Sequence, residues 1–202
     1  MNIQDRSDVR KASLTSILLN DAWHFEALKT LRGIAPFAWI TGGFVRNAIW
    51  DEVFNMSNPC VPADVDVIYM DPERHVPLSE RGIRASLFRS APGIHWSVKD
   101  QGRMHSRSGD APYRTLGAAL QAFPDRSSAI AVRLLNDGSL EILAPYGLED
   151  AFRGIVRPTP AGLSDSRYEA FLDRKLVGWR QRWPRLMIAS TAPRQDPSRK
   201  AA

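Results

Sequence analysis

Apolar residues between Leu14 and Leu31 recur at helical spacing (Leu18, Leu19, Trp23, Leu28, Leu31). Asn20-Asp21 falls between them as a break and cap, so the pattern predicts two consecutive helices. Gly33 and Pro36 end that section. Phe37 to Ile40 is a short apolar run of buried-strand type, and it delivers the chain directly into Gly42-Gly43. A helix is expected from Phe44 to about Val53. The stretch from Phe54 to Ala63 holds Asn55, Ser57, Asn58, Pro59 and Pro62, which is loop chemistry. Asp64 to Met70 forms the next apolar run and is expected as a second strand.

Pro77 and Ser79 precede Ile83, Leu87 and Phe88 at helical spacing, and Pro92-Gly93 stops that pattern before a third strand over His95 to Val98. The order so far is strand, helix, strand, helix, strand. Thr115 to Phe123, with Leu116 and Leu120 four apart, predicts another helix. Two β-rich runs, Ala129 to Leu135 and Ser139 to Leu143, flank Asn136-Asp137-Gly138, a tight-turn sequence whose glycine is free to take positive φ; a hairpin follows. Ser164 to Trp183 has the length and apolar spacing of an amphipathic helix (Tyr168, Phe171, Leu172, Leu176, Trp179). The six tryptophans, mostly at apolar helical positions, are expected in the core.

A chain of 202 residues is long enough for one domain with a full core. Residues 1–191 are read as that domain. Residues 192–202, rich in Pro, Ser and Arg, are read as a disordered basic tail. The first twenty residues carry scattered charges and no long apolar stretch, unlike a signal peptide or membrane span, so a cytoplasmic protein without membrane association is expected. Cys60 is the single cysteine, which excludes an intrachain disulfide and argues against a cysteine-based zinc site. Any metal would be held by oxygen. The net charge of +5 is unevenly placed: residues 174–202 hold eight Lys/Arg against Asp196, whereas residues 1–173 sum to −2. Such a tail can attract nucleic acid, although 22 Arg against 5 Lys fits genomic base composition equally well.

The candidate chemistry lies in two places. Asp64 and Asp66, at i and i+2 of a strand, point to one face and can share divalent cations, while Val65, Val67 and Tyr69 point to the other. Upstream, a Gly42-Gly43 turn at a helix start offers backbone N–H groups unobstructed by Cβ. The helix dipole adds partial positive charge where triphosphate oxygens would sit. Arg46 and Asn47 fall on the first turn of that helix, within reach of phosphate or of the metal-site loop; Arg46 reads equally well as a partner of Asp64 or Asp66. Arg103 and His105 alternate across Met104, the former as a phosphate ligand that cannot deprotonate, the latter as a structural histidine.

Thr41-Gly42-Gly43-Phe44-Val45-Arg46-Asn47 followed by Asp64-Val65-Asp66 in a strand resembles the signature of the DNA polymerase β-type nucleotidyltransferase superfamily. The Gly-Gly-x-Val-Arg-Asn spelling is particularly similar to that of tRNA CCA-adding and poly(A) polymerase head domains. More of the chain is similar to a family of small bacterial nucleotidyltransferase-like proteins: Trp39 to Asp51, Asp64 to Asp71, Lys99 to His105, Pro112-Tyr113, Val132-Arg133, Ala144 to Leu148 and Trp179 to Leu186.

The resemblance implies an α/β fold (α+β by some conventions) with a small mixed sheet flanked by helices and a helical C-terminal section. It also implies a pair of Mg²⁺ (or Mn²⁺) ions on Asp64 and Asp66, an NTP substrate bound through Gly42, Gly43, Arg46, Asn47 and Arg103, and departure of pyrophosphate. A third carboxylate completes such sites on the strand after the next helix. Asp100 occupies that place, with Glu141, expected opposite Arg133 in the hairpin, as its competitor. The acceptor, whether small molecule, protein or RNA, is left open. Two rival readings are a catalytically inactive nucleotide- or RNA-binding protein of the same fold and a hydrolase using the same carboxylates.

Overall fold

The computed structural model describes residues 3–71, 73, 75–105, 111–164 and 168–189. Helices α1 (Ile3–Asn20) and α2 (Ala22–Ile34) meet at Asp21, whose extended backbone (φ −87°, ψ 120°) and carboxylate, accepting from the His24 amide at 2.9 Å, cap α2. The break at Asn20-Asp21 is where the sequence puts it. Helix α1 nevertheless starts well before the apolar pattern does. Its first turns are solvated and bonded along the surface, as in Gln4 to Asp8 at 3.2 Å, and only Leu14 and Leu18 are fully buried.

Strand β1 (Trp39–Thr41) leads into α3 (Gly43–Val53), and β2 (Val65–Tyr69), α4 (Glu80–Ser90) and β3 (Trp96–Asp100) follow. A 3-10 turn (Gln101–Arg103), α5 (Leu116–Gln121), and the hairpin of β4 (Ala131–Leu134) and β5 (Leu140–Leu143) come next. The five strands form one sheet in the order β3-β2-β1-β4-β5. β2 and β3 are parallel, joined through α4; β1 is antiparallel to both of its neighbours. The hairpin closes through Gly138 at φ +83°, the conformation that only glycine takes without strain.

The two sheet faces are unequal. Ile40, Val65, Val67, Tyr69, Trp96, Val98 and Val132 face the main core filled by α1 to α4, while Trp39, Ile68 and Ala131 face Leu120 of α5 in a smaller cluster. All three residues of β1 are buried because both of its faces are covered, which is why it reads as a continuous apolar run.

After β5 come the short helices α6 (Glu149–Phe152) and α7 (Pro160–Ser164), then α8 (Tyr168–Arg182). A two-residue parallel pair, β6 (Ile155–Val156) with β7 (Met187–Ile188), ties the segment after α8 to the segment before α7. Nothing in the residue pattern announces strands so short. Helix α8 docks on α3 through tryptophans: Trp50 meets Trp179 and Trp183 edge-on at 5.2 and 5.1 Å. Removing Trp50, which is fully buried, would cost about 3–5 kcal/mol. Asp51, one residue on, accepts from Trp183 Nε1 (2.8 Å) and from Arg182 Nε and Nη2 (3.1 and 3.0 Å). The expected tail lies outside the described residues. Among the described residues no helix is long and apolar enough to cross a membrane.

Candidate active site

The end of β1 fixes the glycine turn. Thr41 donates its hydroxyl to the Ile130 carbonyl at 2.7 Å, pinning the strand to the segment that enters β4. Gly42 then takes φ +68° and ψ −127°, a combination costly for any residue with a Cβ. A Cβ there would also sit 3.1 Å from Asp66 Oδ2. Both constraints demand glycine, and the second shows that the turn presses directly on a strand carboxylate. α3 has no side-chain cap, and its first helical bond runs from the Arg46 amide to the Gly42 carbonyl at 3.0 Å. The amides of Gly43, Phe44 and Val45 thus have no intrahelical acceptor and form a donor set at the positive end of the helix dipole.

Asp66 pairs across the sheet with Thr41 on one side and Ser97 on the other. It is half-buried, and the Ser97 hydroxyl bonds it. Burial pushes its carboxyl above the usual range, and the Asp64 carboxylate adds to that, while Ser97, Lys175 and Arg46 pull the other way. Asp64 is exposed at the entry of β2. It sits in the bend immediately before Val65, and its charge reaches the Asp66 carboxylate. Asp64 and Asp66 are the two carboxylates here that could hold a hard divalent cation.

Arg46 and Asn47 both lie beneath the turn. Arg46 Nη2 and Asn47 Nδ2 would each be 3.6 Å from a Cβ on Gly43. Arg46 is buried, donates through Nη1 to Ser128 Oγ (2.6 Å) and through Nε and Nη2 to Asn47 Oδ1 (3.2 and 3.0 Å), and stacks over Trp179 and Trp50 at 4.4 and 5.1 Å. Burial lowers its pKa; Asp125 foremost, with Cys60 and Asp66, opposes the shift. Asn47 Nδ2 donates to Cys60 Sγ at 3.5 Å. Arg46 thus matches neither reading directly: its guanidinium is spent on Ser128 and Asn47, and Asp66 reaches it only as a nearby charge.

Asp100 is not brought to the pair. It lies three residues beyond Ser97 on β3, so it points to the opposite sheet face, roughly 10 Å along the strand. Its Oδ1 accepts from the amides of Asp71 and Gly102 (both 3.0 Å), and its Oδ2 from Arg103 Nε at 3.1 Å. It caps the 3-10 turn, and its exposed partner Arg103 also faces Glu80 at 3.8 Å. Arg103 is therefore held at the far end of the sheet from Gly42. Glu141 does share Asp66's face, but it stands three strands away, about 14 Å, and pairs with Arg133 at 2.5 Å as expected for the hairpin. Among the described residues no group of three or more His, Cys, Asp or Glu is placed to hold a metal.

Two residues near the turn were not singled out from the sequence. Asp125 is fully buried, its Oδ1 accepts the Ser128 amide at 2.9 Å, and burial raises its pKa against the pull of Arg46. Asp125-Arg126-Ser127-Ser128 has the composition of an ordinary turn, so no local signal marks it. Lys175 of α8, whose charge is felt at Asp66, is in sequence one more cation on an amphipathic helix.

A glycine turn at a helix start, seated on the carboxylate of an adjacent strand in a small mixed sheet, defines a nucleotidyltransferase architecture. A family model described as Nucleotidyltransferase matches residues 35–188, and the chain belongs to that family. Its fold is similar to that of a protein solved by NMR and described as revealing a CCA-adding enzyme head domain, at 27% identity and a TM-score of 0.73. That match covers 88% of this chain and 94% of the other. It is also similar to a CCA-adding enzyme solved in complex with CTP (13% identity, TM-score 0.57, 88% of this chain) and to a tRNA-processing enzyme (15% identity, TM-score 0.50, 82% of this chain). At those identities the likeness concerns the fold alone, and this chain covers 43% of each of the two. No curated protein matches the chain.

Proposed function

We propose that the protein is a divalent-metal-dependent nucleotidyltransferase that moves a nucleoside monophosphate from an NTP to an acceptor oxygen, with pyrophosphate leaving. The observation that carries this reading is the contact of the two half-sites: the Gly42 turn lies against Asp66, so a triphosphate on the α3 amides would have its phosphorus next to cations held by Asp64 and Asp66.

Mg²⁺ or Mn²⁺ fits the donor set, which is all oxygen and includes one exposed carboxylate with room for water ligands. When bound, the cations supply charge neutralisation at the phosphoryl oxygens and activation of the acceptor oxygen. The chain's own part is placement. Free amides of the first α3 turn bind and orient phosphate oxygens, Ser97 holds the Asp66 carboxylate in one rotamer, and Arg46 with Asn47 keeps the turn rigid from below.

The CTP complex of the CCA-adding enzyme makes CTP the first nucleotide to try and an RNA 3′ end a natural acceptor to include, beside small molecules and the protein itself. The test is incubation with each NTP and Mn²⁺ in the presence of those acceptors, with pyrophosphate release and product mass as readouts. Pyrophosphate formed together with a nucleotidylated product supports transfer; free NDP and phosphate instead would identify a hydrolase. A second reading, a nucleotide binder without catalysis, draws on the lack of a third carboxylate beside Asp64 and Asp66 among the described residues. It predicts tight NTP binding with no turnover on any acceptor.

A further inference from the structure

We propose that Lys175 of α8 is a ligand of the β- and γ-phosphates of the bound nucleotide, so that the C-terminal helix forms a third wall of the site; this rests on the nucleotidyltransferase reading above. The position follows from the packing of α8. Trp179 lies with its ring 4.4 Å from the Arg46 guanidinium, and Arg46 Nη2 in turn reaches the Gly43 position of the phosphate turn. Phe171 packs on Trp179 at 6.4 Å between centroids, so residues 171, 175 and 179 occupy one helix face, and that face is turned to α3. Lys175 lies in the middle of it, one turn before Trp179, and helical side chains lean toward the N-terminus of their own helix. Arg182 and Trp183 meet Asp51 and Trp50 near the end of α3, whereas Trp179 meets Arg46 near its start, so α8 runs antiparallel to α3 and the step from Trp179 to Lys175 leads toward the Gly42 turn.

Lys175 differs from the other cations of this region. Arg46 is buried on Ser128 and Asn47, and Arg182 is bonded to Asp51, whereas among the described residues Lys175 pairs with no carboxylate and is exposed. A solvated ammonium on the helix face that leads toward the positive end of α3 is suited to a polyanion seated on the glycine turn. In the transfer step the acceptor oxygen forms a bond to the α-phosphorus, and the bond from that phosphorus to the α–β bridging oxygen breaks. The bridging oxygen keeps the electron pair and departs as pyrophosphate, and the acceptor's proton passes to solvent. Lys175 supplies positive charge on the side where the leaving group gathers its negative charge.

The test is calorimetric titration of the full chain, wild type, Lys175→Gln and Lys175→Arg, with Mg²⁺ and each of ATP, CTP, GTP and UTP, then with pyrophosphate and with the monophosphate of the tightest NTP. A charge-assisted contact to phosphate predicts that Lys175→Gln loses about tenfold or more in affinity for the NTP and for pyrophosphate. Monophosphate binding and the melting temperature should stay unchanged, and Lys175→Arg should recover most of the loss. Unchanged NTP affinity in Lys175→Gln, or an equal loss for NTP and monophosphate, would overturn the assignment while leaving the nucleotidyltransferase reading intact. A wild-type chain that binds none of the four NTPs would overturn both.

Discussion

An alanine at position 42 would have to adopt φ +68° and ψ −127° and set its Cβ 3.1 Å from Asp66 Oδ2. Gly42→Ala is therefore expected to lose about 1–3 kcal/mol of stability, measured by urea denaturation, and to displace the Asp66 carboxylate, measured as weakened Mn²⁺ affinity. Asp66 itself makes a prediction with a defined sign. Its folded-state pKa is raised, by burial and then by Asp64, so the folded protein holds a proton there that the unfolded chain has released. The resulting penalty is absent below the unfolded value near 3.8 and grows as pH rises toward the folded value. Without metal, Asp66→Asn should match wild type in stability at about pH 4 and exceed it at about pH 7.5. Equal differences at both pH values would refute the assigned shift. The Gly42 turn before α3 was legible in the sequence because a glycine pair before a helix is a local sign, and Asp64 and Asp66 stand out as a pair at i and i+2. Asp125 and Lys175 were not legible, because what makes them notable is their three-dimensional surroundings. Asp100 misled for a related reason: chain order puts it after the next helix as expected, but an odd spacing from Ser97 turns it to the wrong face.

At the scale of elements, the run β1, α3, β2, α4, β3 and the hairpin follow directly from apolar periodicity and turn residues, since each is long or sharply punctuated. The start of α1 is hidden because its first turns bury almost nothing. β6 and β7 are hidden because two residues carry no period. The docking of α8 is also non-local, and it hangs on Asp51, whose carboxylate takes Trp183, Arg182 and the Cys60 amide at once. Asp51→Ala would leave Arg182 and the Trp183 indole without their acceptor. The expected loss is about 3–5 kcal/mol, with reduced near-ultraviolet dichroism from the Trp50–Trp179–Trp183 cluster. A stability within about half a kcal/mol of wild type would show that α8 is held by the tryptophans alone.

For the molecule as a whole, the sheet with its two unequal faces brings three separate segments together at one end of its strands: the Gly42 turn, Asp66 of β2 and Ser97 of β3. The family match ends at residue 188, within β7. We propose that the folded unit closes there, and a chain ending near Ala192 should melt cooperatively at the temperature of the full chain. The central claim, that Asp64 and Asp66 hold the divalent cation which a triphosphate on the α3 turn completes, is tested most directly by electron paramagnetic resonance titration of Mn²⁺ with and without CTP. Wild type should bind Mn²⁺, more tightly with CTP present, and Asp64→Asn and Asp66→Asn should each lose that binding while keeping their fold by circular dichroism. Unchanged Mn²⁺ binding in both variants would contradict the account.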